Sequence, residues 1–263
     1  MRLVSSAAFL ILAVIFARFG WSIPLAGDAE RMLYDVRAFL TSPRVDQDPR
    51  ITMVVYTDET LAATGKRSPL DRAMLAKALA TLDDMGAKAI GIDILIDQAQ
   101  PEDPKLIESF RRMRTPTYLA FASNATNANY IRTWQEDFIR QFVAQLKPGN
   151  VHPTSIRIEP DPDGVTRNWP VQPRSLPPLM ANSLAPGHDA FRDYTAGIRF
   201  RLPLHADRPV FNSLPIDLFA VPGMAKVLRS QIQGRYVLIG GDISDIDQFE
   251  VPSTRYDKDK KTT

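Results

Sequence analysis

The residues best equipped for chemistry in this chain are aspartates that interrupt or follow apolar runs. Asp93 and Asp97 lie in G-A-K-A-I-G-I-D-I-L-I-D (86–97), Asp58 follows I-T-M-V-V-Y-T (51–57), and Asp242 ends R-Y-V-L-I-G-G-D (235–242). Asp245 and Asp247 come shortly after. Carboxylates brought to one place can hold a hard cation through oxygen ligands or grip a cationic ligand. They would also raise one another's pKa, which leaves general acid–base work open. The commoner use of aspartate at such positions is structural. It caps helices and makes turns, and Asp93 can pair with a buried arginine such as Arg72.

Other chemistries lack their parts. The chain has no G-x-S-x-G nucleophile turn and no phosphate-binding loop, and Gly240-Gly241 is too short for a dinucleotide fingerprint. Cysteine is absent, which removes disulfides, thiolate catalysis and thiolate metal sites, and His152, His188 and His205 show no ligand spacing. We therefore assign no catalytic residue, no metal site and no cofactor. Net charge is +2 over 263 residues, so nothing electrostatic calls for a nucleic-acid partner. Trp134, Trp169 and Tyr118 read as core aromatics, with pocket lining as the alternative.

The elements that must position these aspartates follow from hydrophobic patterning. A run such as 89–96, apolar on both faces and rich in β-branched residues, suits a central strand of a parallel sheet. The preceding segment from Leu70 to Met85 is helical in spacing and stops at Gly86, with Ser68 and Pro69 as its N-terminal signal. Ile51–Thr57 and Tyr236–Gly240 supply parallel neighbours, and strand–helix–strand order gives a right-handed crossover. Ligands of open parallel sheets sit beyond the carboxyl ends of the strands, where Asp58, Asp93, Asp97 and Asp242 would then lie. Further helices are expected over 101–113, 134–146, 176–184, 214–221 and 225–231, and strands over 117–122 and 197–202. The turn P-D-P-D-G (160–164) predicts a hairpin between 150–159 and 164–169. Fold class is thus α/β, a mostly parallel central sheet with helices on both faces.

An N-terminal transmembrane helix precedes this body. Leu3 to Ala17 carries no charge, and Leu3 to Trp21 would reach ~28 Å, near the ~30 Å hydrocarbon thickness. Arg18 can snorkel beside Trp21, and no small-x-small cleavage site is convincing, so residues 1–26 read as an uncleaved signal-anchor rather than a signal peptide. Residues 27–263 form the outer domain. Its first helix, within 27–43, places Met32, Leu33, Val36, Phe39 and Leu40 on one face, which predicts packing against the sheet. The tail from Arg255 is charged and aperiodic, and reads as a solvated tail or a truncation point, with truncation favoured because no closing helix follows.

Several motifs in order resemble the CHASE2 domain, an extracytoplasmic sensory module of bacterial membrane signalling proteins. They are E-R-M-L-Y-D-V-R (30–37), D-P-R-I-T-M-V-V-Y-T-D-E-T-L (48–61), S-P-L-D-R (68–72), G-A-K-A-I-G-I-D-I-L-I-D (86–97), D-G-V-T-R (163–167), G-R-Y-V-L-I-G-G-D (234–242) and D-Q-F-E-V-P (247–252). Leu70 departs from the aromatic that the family often has near the proline, and Tyr56-Thr57 from its usual apolar-acidic pair. The resemblance implies a ligand-sensing input domain at the inner membrane, its main body extracytoplasmic, with a cyclase or kinase output outside this sequence. Its partners would be the membrane, a small-molecule or ion ligand, and a second copy in a homodimer. The alternative from another class is an anchored or secreted hydrolase that uses carboxylates at the sheet edge.

Overall fold

The structure is a computed structural model that describes residues 2–19, 24–66, 70–184, 187, 191–244 and 249–255. Helix α1 (Arg2–Phe19) leads into the chain, followed by α2 (Pro24–Thr41) and a two-residue strand β1 (Arg44–Val45). Strand β2 (Ile51–Thr57) then passes directly into α3 (Asp58–Thr64), where the Thr57 hydroxyl accepts from the Thr60 N–H as the helix cap. Helix α4 (Arg72–Met85) ends at Gly86, which adopts φ 77°, a left-handed conformation that glycine takes without steric cost. Its N-cap is Asp71, which accepts from the N–H of Ala73 and Met74, so the helix starts later than the Ser68–Pro69 signal suggested; those two residues lie outside the described set.

Strand β3 (Ala89–Ile92) follows, fully buried as its composition demands, but it stops at Ile92 rather than running on to Ile96. Helix α5 (Asp103–Arg112), strand β4 (Thr117–Phe121), the single turn α6 (Asn124–Asn127), helix α7 (Thr133–Gln145) and strand β5 (Val151–Ser155) complete the first half. The second half holds α8 (Met180–Leu184), β6 (Leu202–Pro203), β7 (Asn212–Pro215), a 3-10 turn at Ile216–Ala220, α9 (Met224–Leu228) and β8 (Tyr236–Asp242).

Six strands make one sheet in the order β5-β4-β3-β8-β2-β7, and every pairing is parallel. The three strands expected side by side are so: β8 lies between β3 and β2. Steps from β2 through β5 all advance in the same direction, so their right-handed crossovers bring α4, α5 and α7 to one face. There Leu79, Leu82, Ile90, Ile92, Phe110, Phe142, Val237 and Ile239 form the core, each large side chain contributing about 1.5–3 kcal/mol by leaving water.

Helices do not cover both faces equally, as had been expected. The opposite face receives the short α8, and Gly91 makes room for it: a Cβ there would meet Met180 Sδ at 2.7 Å and Leu238 Cδ2 at 2.8 Å. The rest of the return from β5 to β7 is mostly irregular.

Four further expectations change. The hairpin is absent: the 160–164 turn exists, with Gly164 N–H donating to Asp161 O at 2.8 Å, but β5 pairs with β4 and Val165 pairs with Glu250. Of the helix expected over 214–221, Ile216–Ala220 forms as a 3-10 turn while 214–215 belong to the edge strand β7, and only Leu202 of the 197–202 stretch is strand. Arg72 is buried, but it turns to Asp103 and donates to the Gln98 carbonyl at 2.8 Å rather than pairing with Asp93. The apolar face of α2 does not pack on the sheet, since Met32, Leu33 and Leu40 are exposed while Asp35 is turned inward. Among the described residues, no helix is long and apolar enough to cross a membrane.

Candidate functional site

The carboxyl edge of the sheet does gather aspartates. Thr57 of β2 lies opposite Asp242 of β8, and Ile92 of β3 lies opposite Ile239, so Asp58, Asp93 and Asp242 follow adjacent strands at one edge. All three are exposed. Asp58 Oδ2 accepts from the Ser244 hydroxyl at 2.6 Å, which ties α3 to the segment after β8. Asp97 stands farther along the loop and accepts from Gln135 Nε2 at 2.6 Å, fastening that loop to the first turn of α7. Asp245 and Asp247 lie outside the described residues. Among those described, no three acidic or histidine side chains are placed to hold a metal ion.

The aromatics divide. Trp134 is exposed, Tyr118 lies against His152 with ring centroids 5.9 Å apart, and Trp169 joins Phe191 and Tyr194 in a small aromatic group.

A second charged centre has a different character. Asp35, on the inward side of α2, is 0% exposed, and Arg167, in the D-G-V-T-R motif, is 3% exposed. Arg167 Nε and Nη2 donate to the two oxygens of Asp35, both at 2.7 Å. Its Nη1 reaches Asp161 at 2.7 Å and Asp163 at 2.8 Å, and Nη2 also reaches Asp163 at 2.7 Å. All five N–H donors of the guanidinium therefore meet carboxylate oxygens. Arg255 closes the group, its Nη1 lying 2.9 Å from Asp35 and 2.7 Å from Asp163.

The turn at 161–164 explains why these groups converge. Asp161 and Asp163 are the first and third residues of this turn, and Gly164 at φ 82° lets the chain reverse so that Arg167 comes back to them. Electrostatics follow geometry. Burial opposes the charge of Arg167, but its bonds to Asp163, Asp35 and Asp161 outweigh burial and raise its pKa. Hydrogen bonds from Arg167, and after them from Arg255, hold Asp163 far below the usual carboxylate range despite partial burial. Removing Arg167 would leave buried Asp35 with Arg255 as its remaining cation.

This centre joins three distant parts of the chain: α2, the 161–167 turn and the segment that carries Arg255. Aspartates at strand ends were visible as candidates, whereas Asp35, Arg167 and Arg255 were not singled out for chemistry. The available signal was an aspartate amid the residues of an amphipathic helix and an arginine just after a D-x-D-G turn. No curated protein and no solved structure matches the chain. The model of the CHASE2 domain matches residues 8–258, nearly the whole length, and the chain accordingly belongs to the CHASE2 family of extracellular sensory domains.

Proposed function

We propose that this chain is the ligand-sensing input domain of a membrane-bound signalling protein, held outside the inner membrane by the apolar stretch within residues 1–26 and transmitting its state through α2. The observation that carries this reading is the buried union of Asp35 with Arg167. It fixes the helix nearest the anchor in sequence to a turn more than a hundred positions away. A signalling element needs such a joint, because a ligand shifts an equilibrium only by its unequal affinity for two arrangements. The anchor reading is supported by α1, on which Phe9, Leu10, Ile11, Leu12, Val14, Ile15 and Phe16 are all exposed in an almost uncharged helix. A dimer belongs to the same reading. Ala29, Leu33, Val36 and Leu40 recur along α2 at alternating four- and three-residue steps, the seam spacing of paired helices, with Leu33 and Leu40 exposed.

Within this reading, Asp58, Asp93 and Asp242, with Asp97 and Asp245 nearby in sequence, offer a cation or a cationic metabolite an acidic rim at the sheet edge. The output module would be a cyclase or kinase.

The absence of native cysteine permits a direct test. A single Lys105→Cys change, on the exposed side of α5, should react with a membrane-impermeant maleimide in intact spheroplasts, and the protein should resist carbonate extraction. Reaction only after lysis would overturn the placement.

A further inference from the structure

The α2 helix also borders a cavity of about 230 Å³, lined by Tyr34, Arg37, Ala38 and Thr41 from the helix, by Ser42 just after it, and by Gly197 to Phe200 and Ser253 from the body. We propose that this cavity is a binding site for a small anion, a phosphate or carboxylate carried on a short apolar body. It is separate from the acidic rim of the sheet.

The lining supports this assignment through its donors. Arg37 and Arg199 are both exposed, and neither forms an ion pair with a described carboxylate. Arg37 instead lies with its Cζ 5.6 Å from the Tyr34 ring centroid, positioned by that ring beside the cavity. Ser253 lines the cavity, and its hydroxyl has no hydrogen-bond partner among the described residues, which leaves it available as a donor there. The Tyr34 hydroxyl likewise lacks such a partner. Thr41 and Ser42 contribute little, since their hydroxyls already donate to the Arg37 and Ala38 carbonyls at 2.8 and 2.7 Å.

Two free guanidinium groups and two free hydroxyls are a donor set without an acceptor, and an anion's oxygens supply acceptors. Ala38, Ile198 and Phe200 give the apolar wall. The adjacent carboxylate on α2, Asp35, is enclosed by Arg167 and Arg255 and so does not repel such a ligand as a bare charge would. An anion here would touch α2 and the body together, beside the charged joint.

The same chemistry can come from a free metabolite or from a lipid headgroup, and the test separates them. The full chain is placed in nanodiscs of neutral phosphatidylcholine and titrated with inorganic phosphate or acetate, with chloride at matched ionic strength as control, and thermal midpoint is read. One anion should raise the midpoint where chloride does not, and Arg37→Gln or Arg199→Gln should each weaken apparent affinity roughly tenfold while leaving the unliganded midpoint unchanged. If only anionic phosphatidylglycerol in the disc raises the midpoint, and the double variant cancels the rise, the site takes a lipid headgroup. No stabilisation by any of the three, or stabilisation that persists in the double variant, overturns the proposal. Neither result bears on where the domain sits in the cell, which the maleimide experiment decides separately.

Discussion

The acidic rim of the sheet and the charged joint under α2 hold the same residue type in opposite circumstances. At the rim, carboxylates are exposed, and Asp58 is met by a hydroxyl, the kind of contact that surface groups exchange readily with water. At the joint, Asp35 has no exposure and depends on two arginines for every charge-assisted bond it makes. Exposed polar groups are open to a ligand but carry little of the fold. Buried ones hold parts together and penalise any change of partner. A sensor needs both properties, in different places.

The largest contrast should come from removing the hub. Arg167→Met leaves Asp35, Asp161 and Asp163 facing one another with one arginine between them, and should cost about 3–5 kcal/mol in chemical denaturation, the penalty for uncompensated buried charge. Adding Asp35→Leu to that variant should recover part of the loss, because replacing both partners by apolar groups removes the stranded charge. If Arg167→Met alone costs under about 1 kcal/mol, the joint is not the fastening described here.

How far such contrasts could be read from sequence depends on the range of the interaction. The central strands were legible because an apolar run of β-branched residues is suited to burial on both faces, whatever its neighbours. Gly86 was legible as a helix stop because its requirement is local. The turn at 160–164 was correctly seen and its consequence was not: Gly164 does reverse the chain, but Val165 then pairs with Glu250, a partner that no local rule supplies. Strand β7, N-S-L-P, carries almost no strand propensity and exists because β2 offers it an edge. On α2 the apolar stripe pointed to burial, yet Asp35 is the residue inside. Only the distant Arg167 makes that possible. Long-range charge pairing leaves no periodicity to detect.

Acid should separate the two regions next. Asp163 is held well below its ordinary value by the arginine hydrogen bonds, and Asp48 is held down to about 2 by its hydrogen bonds with Arg50. Depressed carboxyl pKa values stabilise the fold above the unfolded-state value of ~3.9 and lose that contribution as pH falls through the folded value. Stability should therefore be level from neutral pH to about pH 5 and fall steeply below about pH 4. Arg167→Met should flatten that acid limb, since Asp163 loses its main cause of depression.

Arg255 should rank lower, because its side chain is 33% exposed and water can replace part of what it offers Asp35 and Asp163. Arg255→Gln keeps one amide donor and should cost about 1–2 kcal/mol, less than the loss of Arg167.

The smallest effects belong to the rim, and they test the division most sharply. Asp58→Asn removes the charge that receives the Ser244 hydroxyl and N–H and should cost about 0.5–1.5 kcal/mol, the range of a net hydrogen-bond contribution between protein groups. Asp242, exposed at the end of β8, should tolerate Asn within about 0.5 kcal/mol. Both substitutions keep side-chain shape and remove only charge, so any cation held at this edge should bind more weakly although the denaturation midpoint barely moves. Calcium or magnesium titration of the parent and of the Asp58→Asn/Asp242→Asn pair reads that difference directly. Weakened binding at unchanged stability would mark the rim as the side of the molecule open to ligand. A stability loss as large as that of Arg167→Met would mean that the exposed carboxylates hold the fold as firmly as the buried ones, and the distinction between the two regions would not stand.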